Sequence, residues 1–213
     1  MNQGRARAAA ALAGALAWAV LALGLGAVNA RAATLSVSVV DADGKALADA
    51  VVAIMVKGVR AQAPAGTLVQ IAQRERQFQP RLTVIQTGTS IAFPNFDSVR
   101  HHVYSFSPIQ RFELRLYAGT PSMPVLFDKP GIATLGCNIH DRMQAWVVVV
   151  DTPHFARTDA AGVASLELPP GEHRIRTWHG LLGETAAPIE QAVAVTAAPS
   201  RLTIAVPGRE ARP

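Results

Sequence analysis

The chain has no second cysteine. Cys137 stands alone among 213 residues, so an internal disulfide is not open to it. Beyond the first 33 residues no apolar period of 3.6 is sustained, which speaks against a helical fold. No G-x-S-x-G and no H-E-x-x-H motif is present, so a nucleophile elbow and a zincin helix are absent. The six histidines form no H-x-H pair. No Lys/Arg run follows the N-terminal segment, and nucleic acid is not an expected partner. Only one apolar run is long enough to span a bilayer, and it is N-terminal.

That run reads as an export signal. Arg5 and Arg7 supply a positive start, residues 8–28 are apolar, and Ala30-Arg31-Ala32 offers a small-x-small cleavage site. Residues 1–32 are therefore expected to be removed, with a periplasmic mature chain that has no membrane span. An uncleaved anchor is the rival reading, since about 20 apolar residues can cross a bilayer. Cleavage would remove Arg5, Arg7 and Arg31 and no acid, lowering the formal charge from +5 to +2.

What remains predicts an all-β chain. Gly (16) and Pro (14) are spread along it, among many Val, Thr and Ala. SVSVV and AVVAIMV flank the turn DADGK. Residues 58–67 read as a connection. From 68 to 150 come LVQIAQ, RLTVIQ, SIAFPN, HHVYSFS, FELRLY, MPVLF, IATLG and QAWVVVV, a spacing that suggests a sandwich or barrel. Residues 151–208 return to the opening style with TDAAGV, VASLEL, PPGEH, HRIRTWH, AVAVT and RLTIAV; 209–213 read as a polar tail.

An exported lone thiol can be a buried apolar group, an intermolecular bridge or a metal-bound thiolate. Its neighbours bear on the choice. In LGCNIHDRM, His140 follows Cys137 by three residues and Met143 follows His140 by three. Thiolate, imidazole and thioether are soft or borderline donors suited to copper, and one tight loop can turn all three towards a point. A second imidazole is available upstream, where FPNFDSVRHHVYSFS opens a strand with His101 and His102. Strand alternation points those two oppositely, and spacing alone leaves the choice open. Met55 and Met123 lack such company and read as core or loop. His154, His173 and His179 read as surface or ordinary histidines.

GTSIAFPN, then five residues and H-x-V, together with KPGIATLGCNIHDRMQAWVVVV, resembles the cupredoxins, the small blue copper proteins of the amicyanin and plastocyanin kind. The resemblance covers residues 66–150. It implies a Greek-key β-sandwich with one type 1 copper at one end, held by His101, Cys137, His140 and Met143. His102 falls where those proteins usually carry an asparagine, Gly136 and Leu135 where an aromatic often stands, and Asp141 where amicyanin has proline. The implied activity is outer-sphere electron transfer without catalysis, to a redox partner such as a dehydrogenase, a peroxidase or a cytochrome c. Copper delivery or sensing by the same ligands, and a metal-free binding module, are the alternatives. Multicopper oxidase chemistry would need further histidine pairs. Arg100, Arg111, Arg115 and Arg142 would steer an acidic partner if they rim the copper end.

The outer pieces, 33–65 and 151–208, resemble the small β-sandwich of carboxypeptidase regulatory-like domains. The resemblance rests on DADGKALADAVVAI and TDAAGVASLELPPGEHRI. It implies that 66–150 is a second domain inserted in a loop of the first, which surface loops tolerate because closure entropy grows slowly with length.

Overall fold

A computed structural model describes residues 32–183 and 187–208. The expected signal segment, but for Ala32, and the tail 209–213 lie outside the described residues. The all-β expectation holds: the described residues form seventeen strands and one short 3₁₀ turn, Gly180–Leu182.

The first two strands are β1 (Ala33–Val40) and β2 (Val51–Met55). The middle of the chain supplies β3 (Leu68–Gln70), β4 (Ala72–Arg74), β5 (Gln77–Gln79), β6 (Leu82–Gln86) and β7 (Thr89–Ala92). It continues with β8 (His101–Ser105), β9 (Phe112–Tyr117), β10 (Val125–Phe127), β11 (Gly131–Gly136) and β12 (Gln144–Val150). The last five are β13 (His154–Arg157), β14 (Val163–Leu168), β15 (Gly171–Trp178), β16 (Ile189–Val195) and β17 (Ser200–Ala205). Two short strands, β5 and β13, have no counterpart among the segments expected from sequence.

The chain's two ends pair with each other. One sheet has the order β14-β1-β17 and another the order β13-β2-β15-β16. Strict alternation along β1 sends Ala33, Leu35, Val37 and Val39 inward. They meet Ile54, Leu166, Ile175 and Ile204 in a core drawn from both ends of the sequence. The middle strands pair only among themselves, as β6-β12-β11-β8-β9, β10-β7-β3 and the small hairpin β4-β5. The five- and three-stranded sheets enclose a second core of Ile91, Phe93, Val103, Phe127, Leu135 and Val147. Each fully buried side chain of this size stabilises by about 1.5–3 kcal/mol.

The valine run of β12 has a structural cause. Ala145, Val147 and Val149 face the middle core, while Val148 and Val150 face a third cluster with Val51, Ala53, Leu82 and Trp178. β2 is buried on both sides in the same way, Val52 and Ile54 inward and Val51 and Ala53 towards β12. A strand covered on both faces reads as a continuous apolar run. The chain enters and leaves the middle strands side by side. Ala61 N donates to Asp151 O at 3.0 Å, Thr152 Oγ1 donates to Ile54 O at 2.6 Å, and Arg60 pairs with Asp151.

Candidate metal centre

Three chain segments meet at one end of the middle core. β11 runs into Cys137, which is 3 % exposed. The chain then makes two successive turns through 138–142, and Met143 N donates to His140 O at 2.9 Å. This folds the loop back, so Met143, 1 % exposed, joins the apolar cluster that holds Cys137. His140 stays half-buried on the loop's outer side. The third segment is the start of β8. The pairing of β8 with β9 shifts register between His101 and Val103, a bulge of the kind that re-aims a side chain.

That irregularity separates the two histidines. His101 is fully buried with Nδ1 3.9 Å from Cys137 Sγ. His140 places its own Nδ1 3.9 Å from the same sulfur, and the two rings lie 5.1 Å apart at 57°. One donor atom from each of His101, Cys137 and His140 lies within 4.8 Å of the others. His102 turns elsewhere: Nε2 is 3.0 Å from Glu113 Oε1, and its ring meets Tyr104 edge-on at 6.0 Å. Met55 ends a strand and Met123 is 77 % exposed, both away from the group.

The donors fit a shared ion. With metal–thiolate and metal–imidazole bonds of about 2.3 and 2.0 Å, sulfur and nitrogen around one ion stand roughly 3.6–3.8 Å apart. The observed 3.9 Å is close to that separation and too long for a strong hydrogen bond. Two imidazoles and a thiolate, with a buried thioether in the same cluster, match the donor set of a trigonal copper site with a weak axial sulfur.

Residues that sequence reading passed over hold His101 in place. Asp97 Oδ2 accepts from His101 Nε2 at 2.7 Å. An ionised carboxylate only accepts, so Nε2 carries the proton and Nδ1 turns its lone pair to Cys137. Burial pushes the Asp97 carboxyl up, but hydrogen bonds from the Arg76 amide, the His101 ring and the Glu75 amide outweigh it and hold the group below its usual range. Asn95 shapes the loop: Nδ2 donates to Val99 O at 2.9 Å and Tyr117 O at 3.0 Å, and Oδ1 accepts from Asp97 N at 2.9 Å. Half-buried Tyr117 donates to Phe93 O at 2.7 Å and meets the buried Gln73 amide. Burial pushes its phenol up to about 12, against the Gln73 hydrogen bond. On the other side of Cys137, the Tyr104 ring lies across Gly136; a Cβ there would stand 2.6 Å from Tyr104 Cζ.

No family model matches the chain, and no curated protein matches it significantly. Solved structures do resemble part of it. A purple cupredoxin from Nitrosopumilus maritimus is 23 % identical over 38 % of this chain and 97 % of its own, with a TM-score of 0.34. Amicyanin from Paracoccus versutus is 19 % identical over 45 % of this chain and 96 % of its own, at 0.33. A copper-containing nitrite reductase from Thermus scotoductus is 21 % identical over 46 % of this chain and 25 % of its own, at 0.37. Likenesses this partial do not define the chain's family; what it can bind is read from its own donor atoms.

Proposed function

We propose that the chain is a type 1 copper protein that carries single electrons between redox partners, exported to the periplasm by residues 1–32. The observation that carries the proposal is the convergence of His101 Nδ1 and His140 Nδ1, each 3.9 Å from Cys137 Sγ. When bound, copper supplies a one-electron couple. The protein supplies the rest. Cys137, as a thiolate, would be the strong ligand, and the buried thioether of Met143 would supply a weak one. His101 and Cys137 are walled from water by the middle core, which keeps the site dry and slows ligand exchange. His101 and Cys137 sit at strand ends and Met143 directly before β12, so little rearrangement accompanies a change of charge. Half-buried His140 is the ligand nearest solvent and the natural point of electron exit.

Its partner belongs to the same proposal. Exposed Ile139, Asp141 and Arg142 flank His140 in sequence, and exposed Val99 and Arg100 precede His101, for a net positive charge. That mix of apolar contact and positive charge suits an acidic redox protein, with association that weakens as salt rises. The reading of 66–150 as a domain inserted between 33–65 and 151–208 is supported by sheets that never cross between the two sets of strands.

The test is the spectrum of copper-loaded protein. The native chain and His102→Ala are expected to show an intense visible thiolate-to-copper band with narrow copper hyperfine splitting. Cys137→Ser and His101→Ala are expected to lose it. A native chain that takes up copper without colour would end the proposal.

A further inference from the structure

Asp97 does more than touch His101. Its Oδ1 accepts from Glu75 N at 2.7 Å and its Oδ2 from Arg76 N at 3.0 Å, besides the His101 contact at 2.7 Å. Glu75 and Arg76 are the two turn residues of the hairpin β4–β5, with φ of 54° and 58°. Positive φ at both positions is the requirement of a type I′ turn, normally met by Asn-Gly or Asp-Gly. Here neither residue favours that conformation, and both amides point at a side chain more than twenty positions away.

The hairpin is also fixed to the loop that carries Asp97. Gln73 N donates to Pro94 O at 2.8 Å, and Phe96 N donates to Gln73 O at 3.0 Å. Fully buried Gln73 reaches Phe93 O at 3.1 Å, and the Arg74 guanidinium lies 3.8 Å over the Phe96 ring. An aspartate in an open loop could swing away from an imidazole. Two amides on a rigid hairpin, one on each oxygen, remove that freedom. A fixed carboxylate at Nε2 then sets the ring's tautomer and orientation and strengthens Nδ1 as a donor.

We infer that the Glu75–Arg76 turn and Asp97 form one positioning unit for His101, so that a hairpin remote from the ligand loop sets the donor strength of the first ligand. The inference rests on reading His101 as a metal ligand, and its first test needs no metal. Nitrogen-15 NMR of the metal-free chain is expected to show His101 as a single Nε2-protonated tautomer with a slowly exchanging ring proton. In Asp97→Asn the tautomers mix and exchange quickens.

In the metal arm, Cu(II) and Co(II) are titrated separately. Affinity is expected to fall by about tenfold to a hundredfold in Asp97→Ala. The copper potential rises with it, by about 59 mV for each tenfold weakening of Cu(II) relative to Cu(I). Arg76→Pro, which removes one amide and the positive φ, is expected to follow the same direction. The double variant Glu75→Asn/Arg76→Gly keeps both amides and is expected to match the native chain. If Asp97→Ala does not fold, Asp97→Asn decides. An unchanged tautomer and Cu(II) affinity within about twofold of native in that variant would overturn the inference. A native chain that binds no copper would end the electron-carrier reading, while the ring-proton measurement still judges the positioning unit.

Discussion

Two turns among the outer strands and one beside the candidate metal centre solve the same problem by different means. At Asp41–Lys45, Asp41 Oδ1 accepts from Asp43 N at 3.0 Å and Lys45 N at 2.8 Å, and Gly44 takes φ 79°. At Asp159–Val163 the pattern repeats: Asp159 Oδ1 accepts from Ala161 N at 2.9 Å and Val163 N at 3.0 Å, and Gly162 takes φ 74°. Each aspartate satisfies amides of its own turn, and each glycine takes the left-handed position without steric cost. At Glu75–Arg76 the aspartate comes from another loop and no glycine is present. The outer turns therefore satisfy their own amides, whereas the inner one has its amides satisfied by the loop that carries Asp97. Coupling is what the inner arrangement gains, and local strain is its cost.

The comparison can be broken first within the outer pair. A Cβ on Gly162 would stand 2.8 Å from Val39 O and 3.0 Å from Leu47 N, whereas one on Gly44 would meet nothing within 4 Å. Gly162→Ala should therefore combine the left-handed penalty with backbone overlap and lose about 3 kcal/mol. Gly44→Ala should lose about 1 kcal/mol, the conformational part alone. Urea unfolding of the two metal-free variants checks this; equal losses would mean that the turns are packed alike after all. Replacing Glu75–Arg76 by Asn-Gly probes the inner turn from the stabilising side. Relief of two left-handed residues, less the extra chain entropy of glycine, should raise stability by about 1 kcal/mol.

The same contrast marks what could be read from sequence. The D-x-x-G turns were legible because donors, acceptor and glycine lie within five residues. So were the strands with strict alternation, such as β1 and β14. β5 and β13 were not: three and four residues long, they are too short to show a period. The valine run at 147–150 was visible, but its reason, a second apolar layer from β2 and Trp178, was not. Cys137, His140 and Met143 announced themselves by falling in one seven-residue loop. The pair His101 and His102 was visible as a pair, and the bulge in β8 sends their side chains to different partners. Asp97 gave no sign, because its role is defined by amides at 75 and 76 and by a ring whose direction depends on that bulge.

The smallest expected effect returns to the outer strands, at a histidine braced by one local and one distant backbone group. His179 Nδ1 accepts from Leu181 N at 3.2 Å and Nε2 donates to Ala48 O at 3.1 Å, so the neutral ring is satisfied on both sides. Burial lowers its pKa, against the opposing pull of the Ala48 carbonyl and Asp49. Arg81 and Arg157 line the same groove. The unfolded chain, with an imidazole near the ordinary value of about 6.5, then binds a proton at higher pH than the folded one. Stability linked to His179 is complete above that value and is lost as pH falls through the folded pKa. His179→Gln should remove this part of the slope, seen as a smaller drop in urea midpoint between slightly alkaline and mildly acidic buffer in metal-free protein. The two chains differ only at residue 179, so contributions common to both cancel in the difference. Identical slopes would mean that the Ala48 and Asp49 contacts offset burial completely, and that this seam, unlike the Asp97 clamp, is indifferent to the charge of its histidine.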